Sequence, residues 1–251
     1  MDNIIIFFGI GRGGKLAFDF YSNRFVKDCD VKHYYIDQEF VINARSSENF
    51  KVGKHRKILS NSARCIKHAD VEKFLRKLDF NSMFDIYSNN HESIKNLLKQ
   101  LYLLNHIVKN IKDQYSNYIF IRDDTIVDFE VNYLRKISHW DNNLPRILVP
   151  TTHWHGGVCD RFFILNNTAV NLFQHRLGYT INTLSEQNIS SEVVLSKFLK
   201  VYNYRIYSYP INVRRIRSGT KVIPDRYLIP LHRPRELINI AKTYARLLMR
   251  T

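Results

Sequence analysis

The segment Asn3-Ile-Ile-Ile-Phe-Phe-Gly-Ile-Gly-Arg-Gly-Gly-Lys15 constrains this chain more than any other. Ile4–Phe8 offers no polar face, so a strand over Asn3–Phe8 must be covered on both sides, the condition of an inner strand in a sheet flanked by helices. A glycine-rich turn follows, and Lys15–Lys27 places Leu16, Phe20 and Phe25 on or near one face of a helix. Strand, tight turn and helix in that order open an α/β fold. The apolar run Ile4–Phe8, even with Gly9 and Ile10 following, is far short of the roughly 20 residues that span a bilayer, and it has neither the basic flank nor the cleavage site of a signal peptide. The protein is therefore expected to work where it is made, in the cytoplasm.

The alternation continues along the chain. Strands are expected at Val31–Ile36, Phe84–Tyr87, Tyr118–Ile121, Arg146–Val149, Phe162–Leu165 and Arg205–Val213, and Phe40–Lys67, polar and basic, reads as mostly loop. Asp70 is a plausible N-cap for a helix through Leu78. The clearest helix runs from about His91 to Lys112, where Ile94, Leu97, Leu98, Leu101, Leu104, Ile107, Val108 and Ile111 recur at spacings of three and four. Further helices are expected at Asn167–Arg176, from Ser190 to about Val201, and from Pro234 to Met249. No repeat or linker interrupts the sequence, so residues 1–251 read as one domain with two halves.

Composition narrows the partner. Thirty-eight basic against 23 acidic residues give a net charge of +15, which calls for something anionic: nucleic acid, acidic lipid, a nucleotide or a polyanionic glycan. Nine glycines and six prolines among 251 residues, with 45% hydrophobic residues, exclude a disordered or collagenous chain. Cys29, Cys65 and Cys159 are odd in number and far apart, so neither a disulfide framework nor a CxxC knuckle is available and a reducing compartment follows. The sequons at Asn166 and Asn188 would then go unused.

Four groups of residues can carry chemistry. In the opening turn, Gly9, Gly11 and Gly14 match GxGxxG spacing, and the exposed amides with Arg12 and Lys15 suit a phosphate; the alternative is a tight turn with solvated cations. At the end of Tyr118–Ile121, Arg122-Asp123-Asp124 puts two carboxylates where open α/β sheets place their sites, able to bind a divalent cation that offsets a diphosphate. On a straight strand those two side chains point opposite ways, so one acid would coordinate. His153-Trp154-His155-Gly156-Gly157-Val158-Cys159-Asp160-Arg161 offers a His-x-His pair suited to polar contacts rather than zinc, and Asp160 beside glycines that admit a substrate can act as a general base or pair with Arg161. Arg214-Arg215-Ile216-Arg217 can clamp phosphates or form a solvated edge strand.

Taken in order, these segments resemble small GT-A-type glycosyltransferases of bacteria and large DNA viruses that build surface glycans. The resemblance spans most of the chain: the opening strand with Gly11-Arg12, Tyr87-Ser88 before a long helix, the strand ending Arg122-Asp123-Asp124, Gly156-Gly157-Val158-Cys159-Asp160-Arg161-Phe162-Phe163, Ser185-Glu186, and an Arg before Gly219. It implies a GT-A-like, Rossmann-like, mixed and mostly parallel sheet flanked by helices, with residues to about 125 binding the nucleotide and those from about 126 the acceptor. It implies Asp124 as the ligand of Mn²⁺ or Mg²⁺, with Gly9, Gly11, Arg12, Arg122, Asp123 and Arg217 on a UDP- or GDP-sugar. His153, His155, Gly156, Gly157 and Arg161 would meet a glycan acceptor, and Asp160 would take its hydroxyl proton if transfer inverts. Peripheral membrane contact fits the charge. The alternatives are a basic nucleic-acid-binding protein without enzymatic activity, whose cations are here too dispersed for specific binding, and a nucleotide-sugar binding or hydrolysing protein without a glycan acceptor.

Overall fold

The computed structural model describes residues 3–10, 14–21, 29–38, 40–42, 49–51, 62–85, 88–111, 115–128, 143–151, 157–187, 190–209, 211–217 and 221–224. The expected helix from Pro234 to Met249 lies outside them, as do Gly11, Arg12, His153, His155 and Gly156. In chain order the elements are β1 (Asn3–Gly9), α1 (Gly14–Tyr21), β2 (Asp30–Asp37), β3 (Phe40–Ile42), β4 (Asn49–Lys51), β5 (Ala63–Lys67), α2 (His68–Leu75) and α3 (Glu92–Asn110). Then come β6 (Asn117–Arg122), β7 (Thr125–Asp128), β8 (Arg146–Pro150), β9 (Phe162–Asn166), α4 (Asn167–Phe173), α5 (Arg176–Glu186), α6 (Ser191–Val201), β10 (Arg205–Tyr209), β11 (Asn212–Arg217) and β12 (Lys221–Pro224).

Seven strands form the main sheet in the order β10-β8-β9-β6-β1-β2-β5. β1 runs parallel to β2 and β6, β2 to β5, and β8 to β10, whereas β9 is antiparallel to both of its neighbours. The fold is α/β, a mixed and mostly parallel sheet flanked by helices. Successive residues of β1 serve opposite faces, as the strand period requires. Ile4, Ile6 and Phe8 join the core built with α3 and α6, while Ile5 and Phe7 pack with Ala17 and Tyr21 of α1. From β1 the chain adds β2 and β5 on one side, then returns to place β6 on the other, so the strand order reverses between β1 and β6. In such sheets the crevice at the carboxyl ends of the strands on either side of the reversal takes the ligand.

Several expectations need correction. Phe40–Lys67 is not mostly loop: β3 and β4 form a hairpin and β5 is an edge strand of the main sheet. β5 escaped notice because an edge strand buries little, and here only Ile66 is buried. Lys67 rather than Asp70 is the N-cap of α2, and Asp70 sits in the first turn, where its charge still favours the helix dipole. The strand expected at Phe84–Tyr87 is not seen at its described residues: Phe84 and Asp85 lie outside any strand, Phe84 is exposed with its N–H donating to Leu184 O at 3.1 Å, and residues 86–87 lie outside the described set. The helix expected over Asn167–Arg176 stops at Phe173 and restarts as α5. Arg205–Val213 is two strands in different sheets, with β11 at the centre of the three-stranded sheet β12-β11-β7. The basic run of β11 is therefore not an edge, and Arg214 instead holds Asp128 of β7 at 3.1 and 3.2 Å.

Other expectations stand. Ser190 caps α6, its Oγ accepting from Val193 N at 3.4 Å. The three cysteines are free, with Cys29 and Cys159 buried. Asn166 is fully buried; its Oδ1 accepts from Ala169 N and Arg146 N, and its Nδ2 donates to Leu144 O. That sequon is thus spent on capping α4 and tying β8 to it, with no accessible amide for a glycan. Among the described residues no helix is long and apolar enough to cross a membrane.

Candidate active site at the reversal of strand order

Arg122, the last residue of β6, lies beside Phe8 of β1. Asp123 and Asp124 then make a tight turn into β7, so the straight-strand expectation that the two acids point opposite ways does not hold. Backbone bonds from three elements fix this turn. Arg122 N–H donates to Arg161 O at 2.9 Å, Asp123 N–H to Phe8 O at 2.9 Å, and Ile216 N–H of β11 to Asp124 O at 2.8 Å. Tyr21 adds a clamp from α1, its hydroxyl donating to Thr125 O and accepting from Val127 N.

Gly9 and Asp123 are fitted to each other. A Cβ on Gly9 would stand 2.3 Å from Asp123 Oδ1, and the residue has φ +155°, a backbone that side chains rarely adopt. The space over Gly9, expected to receive a nucleotide, holds the Asp123 carboxylate. Gly9→Ala is accordingly expected to lose about 1–3 kcal/mol, the usual cost of overpacking and backbone strain, measured by urea unfolding. A neutral result would mean that Asp123 moves aside freely.

Charge is dense here. The Arg122 guanidinium grips the Asp124 carboxylate with Nε to Oδ1 at 2.5 Å and Nη2 to Oδ2 at 3.2 Å, and Nη1 reaches Gln100 Oε1 at 3.5 Å. Burial opposes the charge on Arg122, but the carboxylates of Asp124, Asp160 and Asp123 outweigh it and push its pKa above the usual value. His33, fully buried on β2, has Nε2 3.7 Å from Asp123 Oδ2. Neither His33 nor Gln100 was singled out from the sequence; the available signal was a histidine in the buried register of a strand and a polar residue on the long helix.

Asp160 enters from the segment before β9. That segment packs against the first turn of α6: Val158 N–H donates to Glu192 O at 3.1 Å and to Ser196 Oγ at 3.0 Å. A Cβ on Gly157 would lie 2.0 Å from the Glu192 carbonyl. Gly157 therefore permits helix contact and does not leave room for an acceptor, which corrects the expectation. Asp160 is 5% exposed. Among the described residues its carboxylate makes no hydrogen bond and no ion pair with Arg161, but it acts electrostatically on Arg122 and on Arg176 at the start of α5. Arg176, another residue the sequence reading missed, is 3% exposed and lies over the Phe173 ring at 5.2 Å. Burial lowers its pKa to about 10, partly offset by Asp160, Tyr204 and Glu192. Arg217 ends β11, two residues after the strand's ladder with β7.

Among the described residues no three His, Cys, Asp or Glu side chains form a metal cluster. The chemistry of the acids still admits a cation. Asp124 Oδ1 accepts from Arg122 Nε and, at 3.4 Å, from the Thr125 hydroxyl, but Asp123 and Asp124 adjoin on one turn, and Mg²⁺ commonly rests on one or two carboxylates plus substrate phosphates.

No protein-family model matches this sequence, and no curated protein matches it. Among solved structures the chain is similar to apo mouse xyloside xylosyltransferase 1, with 9% identity and a TM-score of 0.45, covering 81% of this chain and 84% of that one. It is also similar to the apo form of the glycosyltransferase GlyE of Streptococcus pneumoniae TIGR4, with 12% identity and a TM-score of 0.44 over 82% of this chain and 45% of that one. A third is the galactosyltransferase LgtC in complex with donor and acceptor sugar analogues, with 8% identity, a TM-score of 0.43 and coverage of 82% and 73%. These are distant likenesses, and the functional reading rests on the site's own geometry.

Proposed function

We propose that this chain is a glycosyltransferase of GT-A-like type that moves a sugar from a UDP- or GDP-sugar to a hydroxyl of a glycan acceptor. The observation that carries this reading is the gathering of Arg122, Asp123, Asp124 and Asp160 at the carboxyl ends of β1 and β6, where the strand order reverses. Reversal points favour nucleotide-like ligands, and paired acids and arginines suit a diphosphate leaving group beside a hydroxyl nucleophile.

Residues to about 125 would serve the donor and those from about 126 the acceptor. Asp123 and Asp124 would hold Mn²⁺ or Mg²⁺, which when bound supplies positive charge to the departing diphosphate. Arg122 orients Asp124 and adds a fixed cation; Gly11, Arg12 and Arg217 complete the donor side in this reading. His153, His155, Gly156 and Arg161 would meet the acceptor in the same reading. Asp160, with no hydrogen bond of its own, has lone pairs free to accept the acceptor hydroxyl proton in an inverting transfer. The net charge of +15 suits an anionic donor and peripheral contact with an acidic membrane, and the three free cysteines suit a cytoplasmic location.

Calorimetry tests the donor side. UDP or GDP is expected to bind more tightly with Mn²⁺ than with EDTA, because two buried acids repel a diphosphate until a cation intervenes. Equal affinity in both conditions would remove these acids from the donor site.

A further inference from the structure

We propose that the outward face of α2 is a docking surface for an acidic membrane, its cations meeting lipid phosphates. The inference deepens the reading of peripheral membrane contact by naming the face that makes it, and its test needs neither donor nor acceptor. A hollow of about 610 Å³ opens there, lined among the described residues by His68, Ala69, Glu72, Lys73, Arg76 and Lys77. At about 100° per residue these positions share one side of the helix and of the turn that continues it, while Val71 and Leu75 are buried on the other. The turn is tied down, Arg76 N–H donating to Glu72 O at 2.9 Å and Lys77 N–H to Phe74 O at 3.1 Å.

The charge of this wall is one-sided. Glu72, its acid, is already held: Lys99 Nζ of α3 and His68 Nε2 each approach its Oε1 at 2.9 Å. Lys73, Arg76 and Lys77 are exposed, and among the described residues no acid pairs with any of them. The exposed Asp70 stands at the rim and leaves the wall positive. A helix dipole rewards a cation in the last turn, but it does not call for three around one hollow. Lysine and arginine stems make an apolar lining while their heads reach outward, the form that suits a headgroup layer. Among the described residues no aromatic ring lines the hollow, so single-stranded nucleic acid would find phosphate contacts there without a stacking platform. β6, β1, β2 and β5 run parallel, and α2 begins where β5 ends, so the face starts at the end of the sheet that carries Arg122, Asp123 and Asp124. β5 stands three strands from β6, about 14 Å away. Docking on this face therefore holds the candidate site near the bilayer.

The test is co-sedimentation of the full chain with vesicles of phosphatidylcholine alone and of equimolar phosphatidylcholine and phosphatidylserine. The chain is expected to bind the acidic vesicles and not the neutral ones, and more weakly as salt rises. Lys73→Gln, Arg76→Gln and Lys77→Gln should each weaken that binding about fivefold, and together about a hundredfold, the usual worth of cations at an anionic surface. The control combines Lys109→Gln, Lys200→Gln and Arg205→Gln, which removes as much charge from exposed positions at the opposite, amino end of the sheet; it should keep most of the binding. All six side chains are exposed, so both triple variants are expected to fold. Equal losses from the two, or no loss from the first, would overturn this face while membrane contact itself stood. No binding of acidic vesicles by the parent chain would overturn both. If the first triple variant lost affinity for a single-stranded oligonucleotide by fluorescence anisotropy but kept its vesicle binding, the surface would belong to nucleic acid instead. The transferase reading fails separately: vesicle binding through α2 without any UDP or GDP binding would leave the docking face intact and remove the donor.

Discussion

Arg122→Met is expected to destabilise the chain by about 3–5 kcal/mol, the range for removing one partner of a buried ion pair. The loss is that large because the guanidinium serves more than Asp124. It also lies in the field of Asp160 and Asp123, and removing it leaves three acids at one end of the sheet with their main cation gone. Chemical unfolding at neutral pH measures the effect. Arg122→Lys should recover part of it by restoring charge without the fork. Arg122→Met with Asp124→Leu should be less harmful than Arg122→Met alone, since a pair replaced by apolar groups no longer strands a charge. A single variant as stable as the parent would mean that the acids are neutralised by other means.

Asp160→Asn is expected to lower the rate of sugar transfer by about 10²–10⁴-fold, the usual contribution of acid–base catalysis. Donor affinity should stay near that of the parent, because the bonds that hold the Asp123–Asp124 turn do not pass through Asp160. Single-turnover rates beside product stereochemistry by NMR give the reading. Lost donor binding would move Asp160 to the nucleotide. Unchanged transfer, or retained anomeric configuration, would end its role as a base, and a variant that unfolds would assign it to countering Arg122 and Arg176.

The opening strand, the long helix α3 and the buried strands β2, β6, β8 and β9 were legible because each must bury an apolar face, and burial leaves a period in the sequence. Elements whose identity depends on a neighbour were not. β5 is a strand because β2 offers it an edge, and its own residues, with Ile66 alone buried, give no period. The break between α4 and α5, and the parting of β10 from β11, turn on local packing that composition does not encode. At the site, Arg122, Asp123, Asp124, Asp160 and Arg161 were visible as charge at the ends of apolar strands. His33 and Arg176 were hidden, since each reaches the site from an element distant in sequence. Gly157 was misjudged because a glycine reads alike whether it clears space for a ligand or for a helix.

The pairing of β6 with β1 sets when the site can exist during folding. Asn117 Nδ2 donates to Asn3 Oδ1 at 2.8 Å across 114 residues of chain, and Gly9 meets Asp123 farther along the same two strands. Contacts of such long range carry the loop-closure entropy that slows folding, while α3 and its neighbours can form from local contacts. A ribosome-bound chain that has not yet emitted β6 therefore carries the glycine bed without its acids. The charged centre comes together late in folding, after the strand that completes it has been made.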